Sequence, residues 1–308
     1  MVHLELAIIL MIDSKTKDKV KESGRSFDDF FKAKADERKD KKPKYDFDKL
    51  KMYFGEPYTV VDNLVIYEPT IGDILEYGEN EFYSVLNVWI AHTTQYRVKL
   101  WDMGIDWNKI SDFELFCSLS RGYTPEQTSL IFKDVDWSKF KAIKYELSEE
   151  QIKSNEEHKD DKEYKPFEPQ MFLISEEQSI IIDEPSYLKM AEYLRTMFNI
   201  FPKVEKAKGK ATKEAFIQED RGLYNGNKED NKSFLMPLIS ACINHPGFKY
   251  KLKELKEVGI VEFMDSVQRL QVYESTKSLM GGMYSGFADM SKVDKKLFNF
   301  MRDLDDAK

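Results

Sequence analysis

The sequence predicts an α+β fold, predominantly helical, with short β-hairpins in the N-terminal two thirds and a helical C-terminal part. Three observations carry that expectation. Hydrophobic residues make up 42% of the 308 and charged residues 33%, which is enough apolar material for a sizeable core. Short apolar runs pair across turn residues near 60–67 and 171–182. Apolar residues then recur at three- and four-residue spacing through 82–90 and 261–279, the period of a helix with one buried face.

Taken in order, Val2 to Ile12 is a mostly apolar run interrupted by His3 and Glu5. It is well short of the roughly 20 residues of a membrane span, and it lacks the basic start and small-residue cleavage site of a signal peptide. Residues 13–48 are charge-rich, with Lys39-Asp40-Lys41-Lys42-Pro43-Lys44 typical of a solvated linker. Lys51 to Val61 reads as a strand with a turn at Gly55–Pro57, and Leu64 to Tyr67 as its partner after Asp62-Asn63. Thr70, with Asp73 three residues on, forms a capping box that opens a helix.

Glu79 to Met103 reads as helix, with Phe82, Val85, Leu86, Trp89 and Ile90 on its apolar face. Ser111 caps the next short helix, Gly122 ends it, and Thr124-Pro125 begins another element. Ser129–Val135 and Phe140–Leu147 read as strands, and 148–166 as a charged insert. Met171–Ile174 and Ile180–Ile182 form a hairpin, and Glu184-Pro185-Ser186 leads into a helix through Phe198. Residues 64–77 and 180–193 share a strand, a Glu-Pro, a hydroxyl residue and a Glu-Tyr at one offset. Either a duplication or convergence on the same junction chemistry produces that match. Ser233 caps a helix that His245-Pro246-Gly247 ends. A longer one runs from Ile260 to Met280, where Gly281-Gly282 breaks it, and Val293–Leu304 forms the last. The resulting division is an N-terminal segment and charged linker (1–48), an α+β domain with an insert (49–202), a polar linker (203–232) and a helical C-terminal domain (233–308).

No residue pattern announces catalysis, a cofactor or a metal. His3, His92, His158 and His245 sit in no HExxH or HxH spacing, and neither Cys117 nor Cys242 belongs to a CxxC pair. Both cysteines lie in apolar stretches and read as buried thiols of a reducing compartment. There is no phosphate-cradling glycine loop after a strand and no GxSxG elbow. A net charge of −8 argues against a general nucleic-acid binder. Trp89, Trp101, Trp107 and Trp137 stand among few arginines and beside acidic residues, so they read as core or protein-contact side chains. The expectation is a non-enzymatic protein that binds another protein, with neither nucleic acid nor membrane as partner. Thirteen methionines, several beside aromatics near the C-terminus, read first as core filling and second as side chains for adaptable apolar recognition. The candidate interface on the long C-terminal helix is Phe263, Val267, Leu270 and Tyr273.

Residues 53–81 resemble the opening of phage tail assembly chaperones, with Ile66, Pro69, Thr70, Gly72 and Asp73 matching a "Leu-x-x-Pro-Thr-x-Gly-Asp" pattern. Leu100 to Trp107, Ser111 to Phe116, Ile239 to Ile243 with His245 to Phe248, Asp265 to Arg269, and Leu279-Met280 with Tyr284 to Gly286 are similar to uncharacterised proteins of Gram-positive phage structural gene clusters. The resemblance implies binding to the tape measure protein in the host cell cytoplasm before tail tube polymerisation, without catalysis. The alternative is a structural virion component of the tail, neck or baseplate.

Overall fold

The computed structural model describes residues 47–158, 164, 166–167, 169–226, 232–285 and 293–304. The apolar run at 2–12 and nearly all of the 13–48 linker lie outside them. The first element is a helix, α1 (Lys49–Tyr53), where a strand was expected. Asp48 decides this: its carboxylate accepts the Leu50 and Lys51 N–H groups at 2.9 and 3.2 Å and so starts a helical turn. The strand begins later, as β1 (Tyr58–Val61), which pairs antiparallel with β2 (Leu64–Ile66) around Asn63, a residue at φ 65°.

The Thr70–Asp73 capping box forms as expected. Thr70 Oγ1 accepts from Asp73 N at 3.1 Å, Asp73 Oδ2 accepts from Thr70 N at 2.8 Å, and α2 (Ile71–Tyr77) follows. Helix α3 (Glu79–Ile90) stops short of the expected Met103. His92 Nδ1 accepts from Thr94 N and Gln95 Oε1 accepts from His92 N, which favours a 3-10 turn (Thr93–Tyr96) before α4 (Arg97–Asp102) begins. Helix α5 (Asp112–Leu119) opens on a full Ser111–Glu114 capping box.

Residues 129–132 are helical, not extended. Thr124, with Gln127 and Pro125 in the first turn, starts α6 (Pro125–Phe132), and Thr128, Ile131 and Phe132 then fall on one buried face. The second sheet is antiparallel in the order β3 (Lys141–Tyr145), β4 (Gln170–Ser175), β5 (Ile180–Asp183). Leu173 lies opposite Ile182 and Ile143 opposite Phe172. Within the charged insert, Ser148 and Gln151 cap a surface helix, α7 (Glu149–Glu157), that buries nothing.

Helix α8 (Glu184–Phe198) is the centre of the molecule, packed against α3, α5, β1 and β5. Its first residues belong to the second of the two matching segments, 64–77 and 180–193, and the two differ in how their helices start. In the first, Thr70 caps the helix and Glu68 lies outside it. In the second, Asp183 is the cap, accepting from Ser186 N at 3.0 Å, and Glu184 is already helical. The two junctions therefore use corresponding residues for different jobs, which favours convergence.

The expected polar linker at 203–232 carries a 17-residue helix, α9 (Lys210–Gly226). Helix α10 (Leu235–Ile243) is capped jointly by Ser233 Oγ on Met236 N (2.8 Å) and by Glu79 of α3 on Leu235 N (2.7 Å). Helix α11 (Ile260–Ser285) runs through Gly281-Gly282 instead of stopping there. A glycine in a helix interior costs only about 1 kcal/mol relative to alanine, and neither adopts the positive φ that would end the helix. The expected helix at 293–304 is reduced to one 3-10 turn (Lys295–Phe298), because the Asp294 and Asn299 side chains take the Lys296 and Met301 N–H groups.

One core runs from Met52 to Met264 and includes Leu235, Cys242, Ile260 and Phe263 from the C-terminal part. At its heart Trp89, Phe116, Phe132 and Trp137 pack ring on ring at 5.0–6.5 Å. Each such pair adds about 0.5–1.5 kcal/mol beyond its buried area. A smaller cluster of Leu100, Trp107, Leu115 and Ala207 receives Ile217 of α9.

The N-terminal half is stapled to α11 by Glu68. Its Oε1 accepts the Val261 N–H at 2.8 Å, in the first turn of the helix, where the dipole favours a carboxylate. Gly55 and Gly259 make room for it: a Cβ on Gly55 would lie 2.8 Å from Glu68 Oε2, and one on Gly259 2.8 Å from Glu68 Cδ. Burial pushes the Glu68 carboxyl above its ordinary pKa, and the Val261 hydrogen bond opposes that.

Candidate functional site

The four residues of the predicted interface separate along α11. Phe263 is fully buried, at 0% exposure, and belongs to the main core, so it is unavailable to a partner. Val267 and Leu270 are half-buried and pack against that core. Tyr273 is 49% exposed. The reason is positional: the first three turns of α11 lie against the body, and the helix then extends beyond it.

Beyond that point α11 presents a different apolar face. Tyr273, Met280 and Tyr284 stand at i, i+7 and i+11, which is one stripe of an α-helix. Tyr284 is 80% exposed. Phe300 sets its ring edge-on to Tyr273 at 6.2 Å, and Met301 beside it is 73% exposed. Two arginines hold this C-terminal strap on the helix. Arg269 Nη1 donates to the Arg302 carbonyl at 2.7 Å. The buried Arg302 donates from Nη1 to Thr276 Oγ1 at 3.0 Å and to the Leu297 carbonyl at 3.1 Å. Thr276 Oγ1 in turn donates to the Leu297 carbonyl at 3.0 Å.

A polar cleft of about 350 Å³ lies elsewhere, between α5, α8 and the 205–206 segment. His92, Ser111, Asp112, Lys109 and Lys206 line it. His92 Nε2 is 3.7 Å from Asp112 Oδ1, and Arg195 Nη2 is 3.9 Å from Asp112 Oδ2. Burial pushes the His92 imidazole below its ordinary pKa, with Asp112 opposing and Arg195 and Lys206 reinforcing the fall. These groups resemble catalytic machinery in type but not in connection. His92 Nδ1 accepts from Thr94 N, Asp112 Oδ1 accepts from Thr93 N at 2.9 Å, and Ser111 Oγ accepts from Glu114 N. Arg195 donates to the Ile90 and Ala91 carbonyls. Each serves a helix end or turn, and no activated nucleophile–base pair results.

Among the described residues, no group of three or more His, Cys, Asp or Glu is placed to hold a metal ion. Cys117 and Cys242 are buried free thiols, and burial raises the pKa of both. No described helix is long and apolar enough to cross a membrane. Sequence reasoning missed Tyr284, Phe300 and Met301 as one surface, because the strap that joins them depends on Arg269 and Arg302. No protein-family model, curated protein or solved structure matches this chain.

Proposed function

We propose that the chain is a non-enzymatic phage tail assembly chaperone that binds the tape measure protein in the host cell cytoplasm. The observation that supports this reading best is the stripe of exposed Tyr273 and Tyr284 with half-buried Met280 between them and exposed Phe300 and Met301 at its side. Aromatic and methionine side chains at helical spacing suit an apolar helical client: rings anchor it, and the flexible thioethers adapt to its sequence. A tape measure protein offers long apolar helical stretches of that kind. The phage-like motif around Pro69–Asp73 agrees with the same reading.

The test is affinity capture from phage-producing cells, with mass spectrometry of both the eluate and purified virions. Capture of a long helical tail protein, with the chain itself missing from virions, supports the chaperone reading. Abundance in virions replaces it with a structural component of the tail, neck or baseplate. A Tyr273→Glu/Tyr284→Glu variant serves as the control. Both side chains are exposed, so capture is lost while the melting temperature stays near wild type.

A further inference from the structure

Helix α9 is held by charge far more than by apolar burial. Of its described side chains only Ile217 is fully buried, at 1% exposure. Phe216 is half-buried against the same apolar cluster, and the remaining contacts of this face are ionic. Arg97, 5% exposed on α4, donates from Nε and Nη2 to both carboxylate oxygens of Asp220 at 2.5 Å and from Nη1 to Glu205 at 2.7 Å. The Phe216 ring lies against the same guanidinium, 4.8 Å from Cζ. Lys213 meets Asp106 at 2.5 Å, and Arg221 pairs with Asp102. Lys213, Ile217, Asp220 and Arg221 are i, i+4, i+7 and i+8 of one helix face. The chain before α9 is pinned at Glu205 by Thr94 and at Ala207 by Asn108, which leaves residues 208–209 as the connection to the helix.

We propose that the groove under α9 is a helix-recognition groove, that α9 is its internal occupant, and that an amphipathic helix of another protein displaces it. The occupant's chemistry is set by what α9 supplies. A buried guanidinium stripped of its carboxylates is strongly unfavourable, so the incoming helix must bring an Asp or Glu to Arg97. It must place an aliphatic side chain three residues earlier, over Leu100, Trp107 and Leu115, and a cation four residues before that for Asp106. This stands independently of the tail-assembly reading, because it concerns a different face and requires no phage protein.

Salt decides whether α9 detaches. Hydrogen exchange of the full chain is followed by mass spectrometry between 0.05 and 1 M NaCl, a range that shortens the screening length from above ~10 Å to ~3 Å. The expected result is faster exchange across 210–222 with rising salt while α3 and α8 hold. If 210–222 exchanges in step with α8 at every salt concentration, the proposal is overturned. In parallel, a fluorescein-labelled peptide of residues 203–226 is titrated into wild type and into an Ile217→Asp/Asp220→Lys chain, whose changes leave the groove intact. With α9 docked more than about nine tenths of the time, the released chain binds the peptide about tenfold more tightly than wild type does. Adding Arg97→Gln removes that binding. Equal affinity for both chains also overturns the proposal. If the released variant fails to fold, the exchange experiment on wild type decides alone.

Discussion

Replacing Gly259 by alanine tests whether Glu68 holds the two halves together. The new Cβ lies 2.8 Å from Glu68 Cδ, about 1 Å inside ordinary carbon–carbon contact at ~3.5–4.0 Å. Glu68 Oε1 accepts the Val261 N–H at 2.8 Å, so a carboxylate pushed away from the new Cβ gives up that bond. A hydrogen bond to a charged acceptor contributes about 1.5–3 kcal/mol net. Alanine returns about 0.4–1 kcal/mol by restricting the unfolded chain. The expected net loss is therefore about 1–2 kcal/mol, read from urea unfolding followed by tryptophan fluorescence at pH 7. Glu68→Ala alone loses the cap and falls by about 1–2 kcal/mol. In the Glu68→Ala background the same Gly259→Ala change meets no carboxylate, and its cost falls to about zero or becomes a small gain. The two changes thus couple by about 2 kcal/mol, within the range for residues in contact. Costs that add to within ~0.5 kcal/mol would refute the staple.

Phe263→Ala empties a fully buried site and costs about 3–5 kcal/mol, lowering the melting temperature by roughly 10 °C, whereas Tyr273→Ala leaves it within a few degrees. Differential scanning calorimetry separates the two, and equal shifts would contradict the burial difference. Gly72→Ala should destabilise by about 1 kcal/mol although alanine is the better helix former, because its Cβ would sit 2.6 Å from the Lys256 carbonyl oxygen. A gain in stability on urea titration would show that the 254–257 turn yields freely. Lys213 holds Asp106 below its ordinary carboxylate pKa, and Lys203 and Arg97 do the same for Glu205. Depressed folded pKa values stabilise docking fully above the unfolded values, 4.5 for Glu205 and 3.8 for Asp106, and that stability is lost as pH falls through the folded ones. Exchange protection of α9 therefore holds from pH 7 to 5 and drops below about pH 4 ahead of α8; simultaneous loss would argue against it.

Local signals survive folding where the partners are near in sequence. The Thr70–Asp73 and Ser111–Glu114 boxes and the 171–182 hairpin are of this kind, since each is closed by residues a few positions apart. Helix α9 is the opposite case. Its composition is that of a linker, and its order depends on Arg97 and Asp106, each more than 100 positions away. Residues 129–135 misled for a third reason: a short apolar run fits strand or helix, and the Thr124-Pro125 start upstream decides. For the candidate interface, periodicity picked out the apolar stripe of α11 but carried no information on where the body ends, so Phe263 and Tyr273 looked equivalent. The His92–Asp112–Arg195 constellation was equally invisible, its members coming from three elements.

The helix holds the C-terminal strap through main-chain carbonyls: Arg269 reaches those of Phe300 and Arg302, and Thr276 that of Leu297, while Arg302 braces the strap from within and donates to Thr276 Oγ1. An anchor of that kind is blind to which side chains the strap carries. Residues 300 and 301 can therefore change while the path of the chain stays put. Variation is free at these two exposed side chains and restricted at Arg269, Thr276 and Arg302, so the surface can change without reopening the fold.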